Sequence, residues 1–396
     1  MKIVIIGNGI AGQTVAEEIR KHNSDYEIVI ISKEPYRYYS RIFLPSYLIG
    51  EKSLDKLILH SDEWYKNRNI TIKLNMLIDQ IDRVNKKLHV LEEDTWINYD
   101  KLVIATGSNA RKLPFGNPDV KGVFTLRNVT DADIIRNYIK DNNIKDVLIM
   151  GGGLLGIELG FHLQKFQLNI TICEIAPYLL HRQLDRGTSK LLQKYLESNN
   201  LEILVGVAVE KILGNDKASG VKLKNGMERK FDMILQQMGI IPEISLTQKN
   251  DIKTGKGIIV NEYLQTNDLD IYAVGDCVQF NGKIWGIIPA SREQSKLAAQ
   301  HILELNPEPY KGTFWNTRLK IAGIKLTCLG TPEEDENKEA TLIQSVNEEK
   351  YLCRKVRIEN NEIKSAILLG PGKDNFFVKN LGKKVDLDEV KRKVNE

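Results

Sequence analysis

Gly7-Asn8-Gly9-Ile10-Ala11-Gly12 and Gly151-Gly152-Gly153-Leu154-Leu155-Gly156 are the segments of this 396-residue chain best suited to chemistry. Each follows an apolar, mostly β-branched run, Lys2 to Ile6 and Val147 to Met150, and precedes a helical pattern. In such a strand–turn–helix the first glycine permits the tight turn. The second lets backbone approach a pyrophosphate, and the third lets the helix pack closely on the strand. The helix start then offers unpaired N–H groups and partial positive charge to the phosphates. Val15, Ile19 and the stem of Arg20 carry the helical spacing after the first loop; Ile157, Phe161 and Leu163 carry it after the second. One loop alone can be a plain βα turn without ligand. Two in the same context point to two bound dinucleotides, and so to electrons passing between them.

The elements that must position these loops can be read along the chain. The first βαβ unit runs from Met1 to about Ser32, with Ile28 to Ile31 as its second strand. A tyrosine-rich loop, Pro35 to Arg41, precedes a helical piece carrying Trp64 and Tyr65. Ile70 to Leu74 and Lys87 to Leu91 are read as strands of a small antiparallel meander, and Tyr99 to Ala105 as a returning buried strand. A second βαβ unit starts near Asp146, with Asn169 to Cys173 as its next strand and Leu191 to Leu196 as a helix. Glu202 to Val205 is a further strand, and Asn225-Gly226 reads as a type I′ hairpin turn. Ile271 to Asp276 is a strand ending in an acid, followed by a helix from about Ala290 to Leu305. Asn306-Pro307-Glu308-Pro309 marks a linker; beyond it Thr313 to Leu329 and Ala340 to Leu369 are strand-like, and the last residues form a surface helix.

Composition bounds the remaining possibilities. The hydrophobic fraction of 42% and charged fraction of 27% belong to a globular protein, and the length calls for two or three domains. No apolar run is long enough to span a membrane, and the chain opens directly on a strand rather than on a signal peptide, so a cytoplasmic location is expected. The net charge of +4 carries no basic stripe with interleaved aromatics and does not argue for nucleic acid. It would suit a small acidic protein partner, and a solvated mixed surface accounts for it as well. Cys173, Cys277, Cys328 and Cys353 form no C-x-x-C pair and no metal-ligand spacing; Cys173 and Cys277 read as small buried apolar residues.

The two loops, the Ala105-Thr106-Gly107 turn, Gly239-Ile240-Ile241-Pro242 and Val274-Gly275-Asp276 occur in an order that resembles the two-dinucleotide flavoprotein superfamily of pyridine-nucleotide oxidoreductases. The resemblance covers about residues 1 to 310. Tyr39-Ser40-Arg41, Leu44-Pro45, Glu63-Trp64-Tyr65, Arg182-Gln183-Leu184-Asp185 and the stretch Leu319 to Ile324 are most similar to NADH:rubredoxin reductases, with the flavin subunits of assimilatory nitrite reductases close by.

The resemblance implies an α/β fold class: two Rossmann-like three-layer domains, for FAD and NAD, plus a small α+β C-terminal domain. The FAD domain would be discontinuous, 1–110 and 231–308, with the NADH domain at 111–230 and a C-terminal interface domain at 309–396. It places Gly7, Gly9, Ile10, Ala11 and Gly12 at the FAD pyrophosphate. The backbone of Ile78 would lie at the adenine, Ala105, Thr106 and Gly107 beside the flavin, and Asp276 at the ribityl or phosphate region. Ile288 and Pro289 would open a helix whose dipole supports negative charge on reduced flavin. Asp276 can also be read as a turn or cap aspartate. Where the family carries an acid for the ribose, this chain has Ser32; Lys33 and Glu34 follow, so Glu34 would serve instead. The family lysine near the flavin is replaced by Pro45 and Ser46, which leaves Arg41 as the nearby cation, or as an exposed loop arginine.

For NADH the matching positions are Gly151, Gly153, Leu154, Leu155, Gly156 and Gly239. Glu174 ends the second strand behind the loop, where a carboxylate accepts from a ribose 2′-OH and repels a 2′-phosphate, so NADH is expected over NADPH. Glu158 resembles the nicotinamide carboxamide contact, or is a plain acid in a helix first turn. Disulfide reductases of the superfamily carry C-x4-C, and oxidase relatives one cysteine in the tyrosine-loop region; Glu34 to Gly50 has none. No sulfur relay is then available, and electrons must leave the flavin directly. The expected acceptor is a small iron–sulfur or rubredoxin-type protein. An NADH oxidase, a flavin component of a nitrite or nitric-oxide reducing system, and a non-enzymatic protein holding FAD and NAD as structural ligands are the alternatives.

Overall fold

The structure is a computed structural model that describes residues 1–113, 120–330, 340–372 and 374–396; the side chains of residues 319–321, part of the rubredoxin-reductase resemblance, lie outside the description. It divides into two compact units. One comprises Met1–Arg41, Lys52–Asn109 and Ile240–Thr313; the other comprises Ile42–Glu51, Ala110–Gly239 and Phe314–Glu396.

The first unit is built on a five-stranded parallel sheet in the order Ile271–Ala273, Lys101–Ile104, Lys2–Ile6, Glu27–Ile31, Ile70–Lys73. A central parallel strand is covered on both faces, so its sequence is apolar without alternation. Ile3, Val4 and Ile5 are accordingly fully buried. Helices Ile10–His22 and Ile288–Ile302 pack on each other in this unit. Ile70–Lys73 corrects the sequence reading. It pairs parallel to Glu27–Ile31 in the main sheet, and the antiparallel meander is formed by Ile78–Asp82, Lys87–Val90 and Thr95–Asn98. Half-polar edge strands read alike in either setting; the intervening helical crossover permits the parallel pairing.

Arg20 joins the starts of two neighbouring strands of this sheet. At the last turn of the first helix its guanidinium donates to the carbonyls of Asn23 (3.0 Å), Ser24 (2.7 Å), Tyr26 (2.9 Å) and Asn69 (2.8 Å). Tyr26 and Asn69 immediately precede the fourth and fifth strands in this order of hydrogen bonding.

The second unit repeats the pattern with the parallel order Leu201–Val205, Asn169–Glu174, Asp146–Met150, Met233–Gln236, Val123–Phe124. Met233–Gln236 lies in this sheet, so the chain returns to the first unit at Ile240 rather than at 231. Residues 42–51 also group here, because Arg136 donates to the carbonyls of Tyr47 and Leu48 (2.8 Å for Leu48) and the Tyr47 hydroxyl donates to Asp133 at 2.8 Å. The Asn225-Gly226 turn is not type I′. Only Gly226 has positive φ (87°), and Gly226 N–H closes a turn on the Leu223 carbonyl at 2.9 Å. Asn-Gly serves both geometries, and here the Asn225 side chain accepts from Met227 N–H at 3.1 Å.

An antiparallel sheet closes the chain, in the order Asn316–Ile321, Ile324–Leu329, Glu362–Leu369, Leu352–Glu359, Thr341–Asn347. Helices Asn375–Asn380 and Leu387–Asn395 bury Phe377, Val390 and Val394 against Val356 and Leu368. No helix among the described residues is long and apolar enough to cross a membrane.

Replacing Arg20 by Lys or Ala is expected to destabilise the first unit by about 2 kcal/mol, since an ammonium cannot span four carbonyls in the plane of a guanidinium. Urea unfolding followed by flavin release checks this; wild-type midpoints for both variants would contradict it.

Candidate functional site

The residues singled out for FAD all fall in the first unit, and those for NADH all fall in the second. At the first loop, Gly7 has φ 117°, and a methyl built on it would lie 2.1 Å from the Ala105 carbonyl oxygen. A methyl on Gly12 would lie 2.1 Å from the Gly7 carbonyl oxygen. Both glycines are therefore required by the protein itself. Gly9 is different: its φ and ψ of −90° and −173° suit any residue, and a methyl there meets nothing within 4 Å. The second loop repeats this. Gly151 would clash with the Gln237 carbonyl at 2.4 Å and Gly156 with the Gly151 carbonyl at 2.0 Å, whereas Gly153, at −81° and 179°, faces open space. The residues thus form two cradles of the kind a pyrophosphate needs, and the fit to a dinucleotide holds at both.

Around the first loop, Gly7 N–H donates to Ile31 C=O (2.8 Å) and Ala105 N–H to Ile6 C=O (2.8 Å). Ile10 and Ala11 open the first helix, with Ala11 under the Gly275 turn: a methyl on Gly275 would come 2.9 Å from the Ala11 Cβ. The Thr106 hydroxyl donates to Glu243 C=O at 2.8 Å, Gly107 has φ 71°, and Ser108 donates to Asp276 at 2.8 Å. Ile78 is buried at the start of the meander, paired with Val90, and Lys33 is exposed. Ile288 and Pro289 open a fifteen-residue helix whose N-cap, Ile287, makes no side-chain cap.

Two of the expected FAD contacts are engaged with each other. Arg41 Nη2 donates to Glu34 at 2.5 Å, Arg41 Nη1 to the Tyr39 hydroxyl at 2.9 Å, and that hydroxyl to the other Glu34 oxygen at 2.7 Å. Burial opposes the Arg41 charge, but Tyr39, Glu34 and Asp276 outweigh it and hold its pKa above the usual arginine value. The picture of Arg41 as a plain exposed loop arginine does not hold.

In the second unit Glu174 is 7% exposed, and its carboxylate braces the loop. One oxygen accepts from Gly152 N–H and the other from Ala176 N–H, each at 2.8 Å. Every carboxylate oxygen keeps a second lone pair, so these bonds leave acceptor capacity. Leu154 and Leu155 open helix Leu154–Leu163, and Gly239 (φ 91°) accepts from Arg111 N–H at 2.9 Å. Glu158, one turn into that helix, accepts from Ala322 N–H at 3.0 Å, a partner 164 residues away.

Sequence reasoning missed a polar network beside the first loop. Gln13 is buried and donates to Asn8 and to the Tyr65 hydroxyl (2.9 Å); His60 Nδ1 donates to Gln13 at 3.0 Å. Asn8 in turn donates to Tyr36 C=O at 3.1 Å. His60 stacks on Trp64 with ring centroids 3.6 Å apart and lies 3.3 Å from Glu17. The only sequence signal was a glutamine on the buried face of an amphipathic helix.

All four cysteines are buried and free. Burial pushes Cys173 and Cys277 up to about 11 and raises Cys328 and Cys353, so none is held as a thiolate.

Residues 1–300 match the model of the pyridine nucleotide-disulphide oxidoreductase family. The chain belongs to that family. Its members use FAD and NADH. The chain is 32% identical to a nitrite reductase [NAD(P)H] of Bacillus subtilis over 99% of its own length and 48% of the other's, so it spans about half of that relative. It is 37% identical to an NADH oxidase of Methanocaldococcus jannaschii, covering 78% of this chain and 72% of that protein. The crystal structure of NADH:rubredoxin oxidoreductase from Clostridium acetobutylicum superposes with a TM-score of 0.75 at 26% identity, covering 100% of this chain and 94% of the other. The family's doubly wound α/β architecture is the one observed.

Gly9→Ala is expected to leave the thermal midpoint within about 2 °C of wild type while lowering FAD affinity at least roughly tenfold; Gly12→Ala should instead destabilise by about 2 kcal/mol or more. Flavin absorbance per chain and a melting curve separate the two, and equal behaviour would refute the distinction. The His60 network adds a pH effect. Burial, then Arg68, lowers His60 from its ordinary 6.5 to about 4. The folded chain binds fewer protons there than the unfolded one, so this contribution is full above 6.5 and is lost as pH falls toward 4. His60→Gln should show a shallower loss of stability across that window than wild type in parallel urea titrations.

Proposed function

We propose that the protein is an NADH-dependent flavoprotein reductase that passes electrons through FAD, without a redox disulfide, to a small one-electron carrier of rubredoxin or iron–sulfur type. The observation that carries the two-cofactor reading is the pair of glycines, Gly9 and Gly153, whose missing side chains nothing in the protein itself requires. When bound, FAD would supply the chemistry that couples a two-electron hydride donor to a one-electron acceptor.

The chain's residues supply binding and electrostatics. Gly7, Gly9 and Gly12 with the start of helix Ile10–His22 would hold the FAD pyrophosphate, and Asp276, fixed by Ser108, would accept from its polyol region. The uncapped first turn of helix Ile288–Ile302 would stabilise negative charge placed before it. Arg41, anchored by Glu34 and Tyr39, would add a fixed cation. Gly151, Gly153 and Gly156 would hold the NADH pyrophosphate. Glu174, oriented by two backbone N–H groups, would accept from the ribose 2′-OH and disfavour a 2′-phosphate. Glu158 would reach the nicotinamide carboxamide. No residue is needed as a proton donor for hydride transfer.

The carrier reading rests on the buried, protonated cysteines and on the similarity to NADH:rubredoxin oxidoreductase. A second reading, in which the chain feeds electrons to a nitrite-reducing centre, is favoured by the match of nearly its whole length to half of a nitrite reductase.

The test is an anaerobic titration with NADH, followed by oxidised rubredoxin. Flavin bleaching at one NADH per FAD and rapid rubredoxin reduction are expected, with NADPH at least roughly tenfold poorer in kcat/KM. Prior treatment with N-ethylmaleimide should leave turnover unchanged. Loss of activity on alkylation would defeat the sulfur-free route, and fast consumption of oxygen without rubredoxin reduction would favour an oxidase.

A further inference from the structure

The strands Asn316–Ile321 and Ile324–Leu329 are joined by a two-residue turn, Ala322 and Gly323, with φ of 47° and 87°. An alanine in the left-handed region is unfavourable, and hairpin tips normally leave their polar groups to water. This tip does neither expected thing. Ala322 is fully buried, and both of its backbone groups end on side chains of the second nucleotide fold. Its N–H donates to Glu158 Oε2 at 3.0 Å, and its carbonyl accepts from the Tyr195 hydroxyl at 2.8 Å. Glu158 belongs to helix Leu154–Leu163, which starts at the second glycine loop; Tyr195 belongs to helix Arg186–Ser198. The fit is close: a methyl on Gly323 would come 3.1 Å from the Tyr195 hydroxyl. The second oxygen, Glu158 Oε1, stands 3.4 Å from His162 Nδ1.

We propose that Tyr195 and the Ala322–Gly323 tip are positioning elements for the nicotinamide dinucleotide, acting through Glu158. This rests on the reading of Glu158 as an NADH contact. A free glutamate samples many rotamers; here the Ala322 N–H pins one oxygen, and Tyr195 pins Ala322. The carboxylate is then pre-oriented with its other oxygen available to a ligand amide, which lowers the ordering cost of binding. Linkage makes the effect reciprocal: a ligand that engages Glu158 must tighten the tip, so the C-terminal sheet senses whether the dinucleotide is bound.

The test uses the full chain loaded with FAD and tetrahydro-NADH, which binds without giving hydride. Tyr195→Phe should weaken its binding, read by calorimetry, roughly threefold to tenfold, with flavin absorbance per chain unchanged. Glu158→Ala should weaken it at least as much, and the double variant no more than Glu158→Ala alone. In wild type the ligand should also slow hydrogen exchange at the Ala322 amide, and in Glu158→Ala it should not. Wild-type affinity for Tyr195→Phe beside weakened Glu158→Ala would overturn the proposal, as would fold-changes that multiply in the double variant or an Ala322 amide blind to the ligand. Unchanged affinity for Glu158→Ala would instead remove the reading of Glu158 itself, and the proposal with it.

Discussion

The structure depends on one steric constraint used twice: a chain leaving a central parallel strand must turn under the carbonyl of the neighbouring strand's exit. At Gly7 that carbonyl belongs to Ala105, and at Gly151 to Gln237. A Cβ at either place would sit inside a carbonyl oxygen, so glycine is the one residue that keeps both the sheet and the helix in place. Once the turn is that tight, the helix N-terminus faces the crevice at the carboxyl ends of the strands, with unpaired N–H groups directed outward. The anion site is a by-product of packing. What packing does not explain is the glycine in the middle, Gly9 and Gly153, where an added Cβ would meet no protein atom within 4 Å.

Charge is arranged around these cradles by fixing carboxylates before any ligand arrives. Glu174 is held by two backbone N–H groups, Glu34 by Arg41 and Tyr39, Asp276 by Ser108, and Glu158 by Ala322. Each of these bonds orients a carboxylate and leaves lone pairs for a hydroxyl or an amide. The same bonds give every one of these acids a structural duty, so their substitution acts on loop geometry.

Much of this was legible in the sequence because buried parallel strands announce themselves. Residues 3–6 and 147–150 are apolar without interruption, and the glycine spacing follows directly from the turn they must make. Edge strands carry no such mark: the alternation in Ile70–Lys73 fits a meander or a sheet margin equally, and only the partner decides. The Asn225-Gly226 pair is ambiguous for a related reason, since a left-handed glycine closes more than one turn type. The true two-residue left-handed turn, Ala322-Gly323, lacked the asparagine that would have signalled it. Pairings between distant residues were invisible. Nothing in the pattern around Glu158 or Glu34 indicates that one would meet a hairpin tip and the other an arginine seven positions on.

Burial, rather than composition alone, sets the state of the four thiols. Four thiols are present, yet each sits where burial makes the thiolate costly, and Cys277 next to Asp276 gives its hydrogen to the Val274 carbonyl at 3.3 Å. A thiol beside a flavin can relay electrons only as a thiolate with room to form a bond. A Cys277 that is enclosed, protonated and hydrogen-bonded to backbone has neither. The cradles themselves are fixed by the packing of glycine against carbonyl, a constraint that places no demand on any of the four thiols.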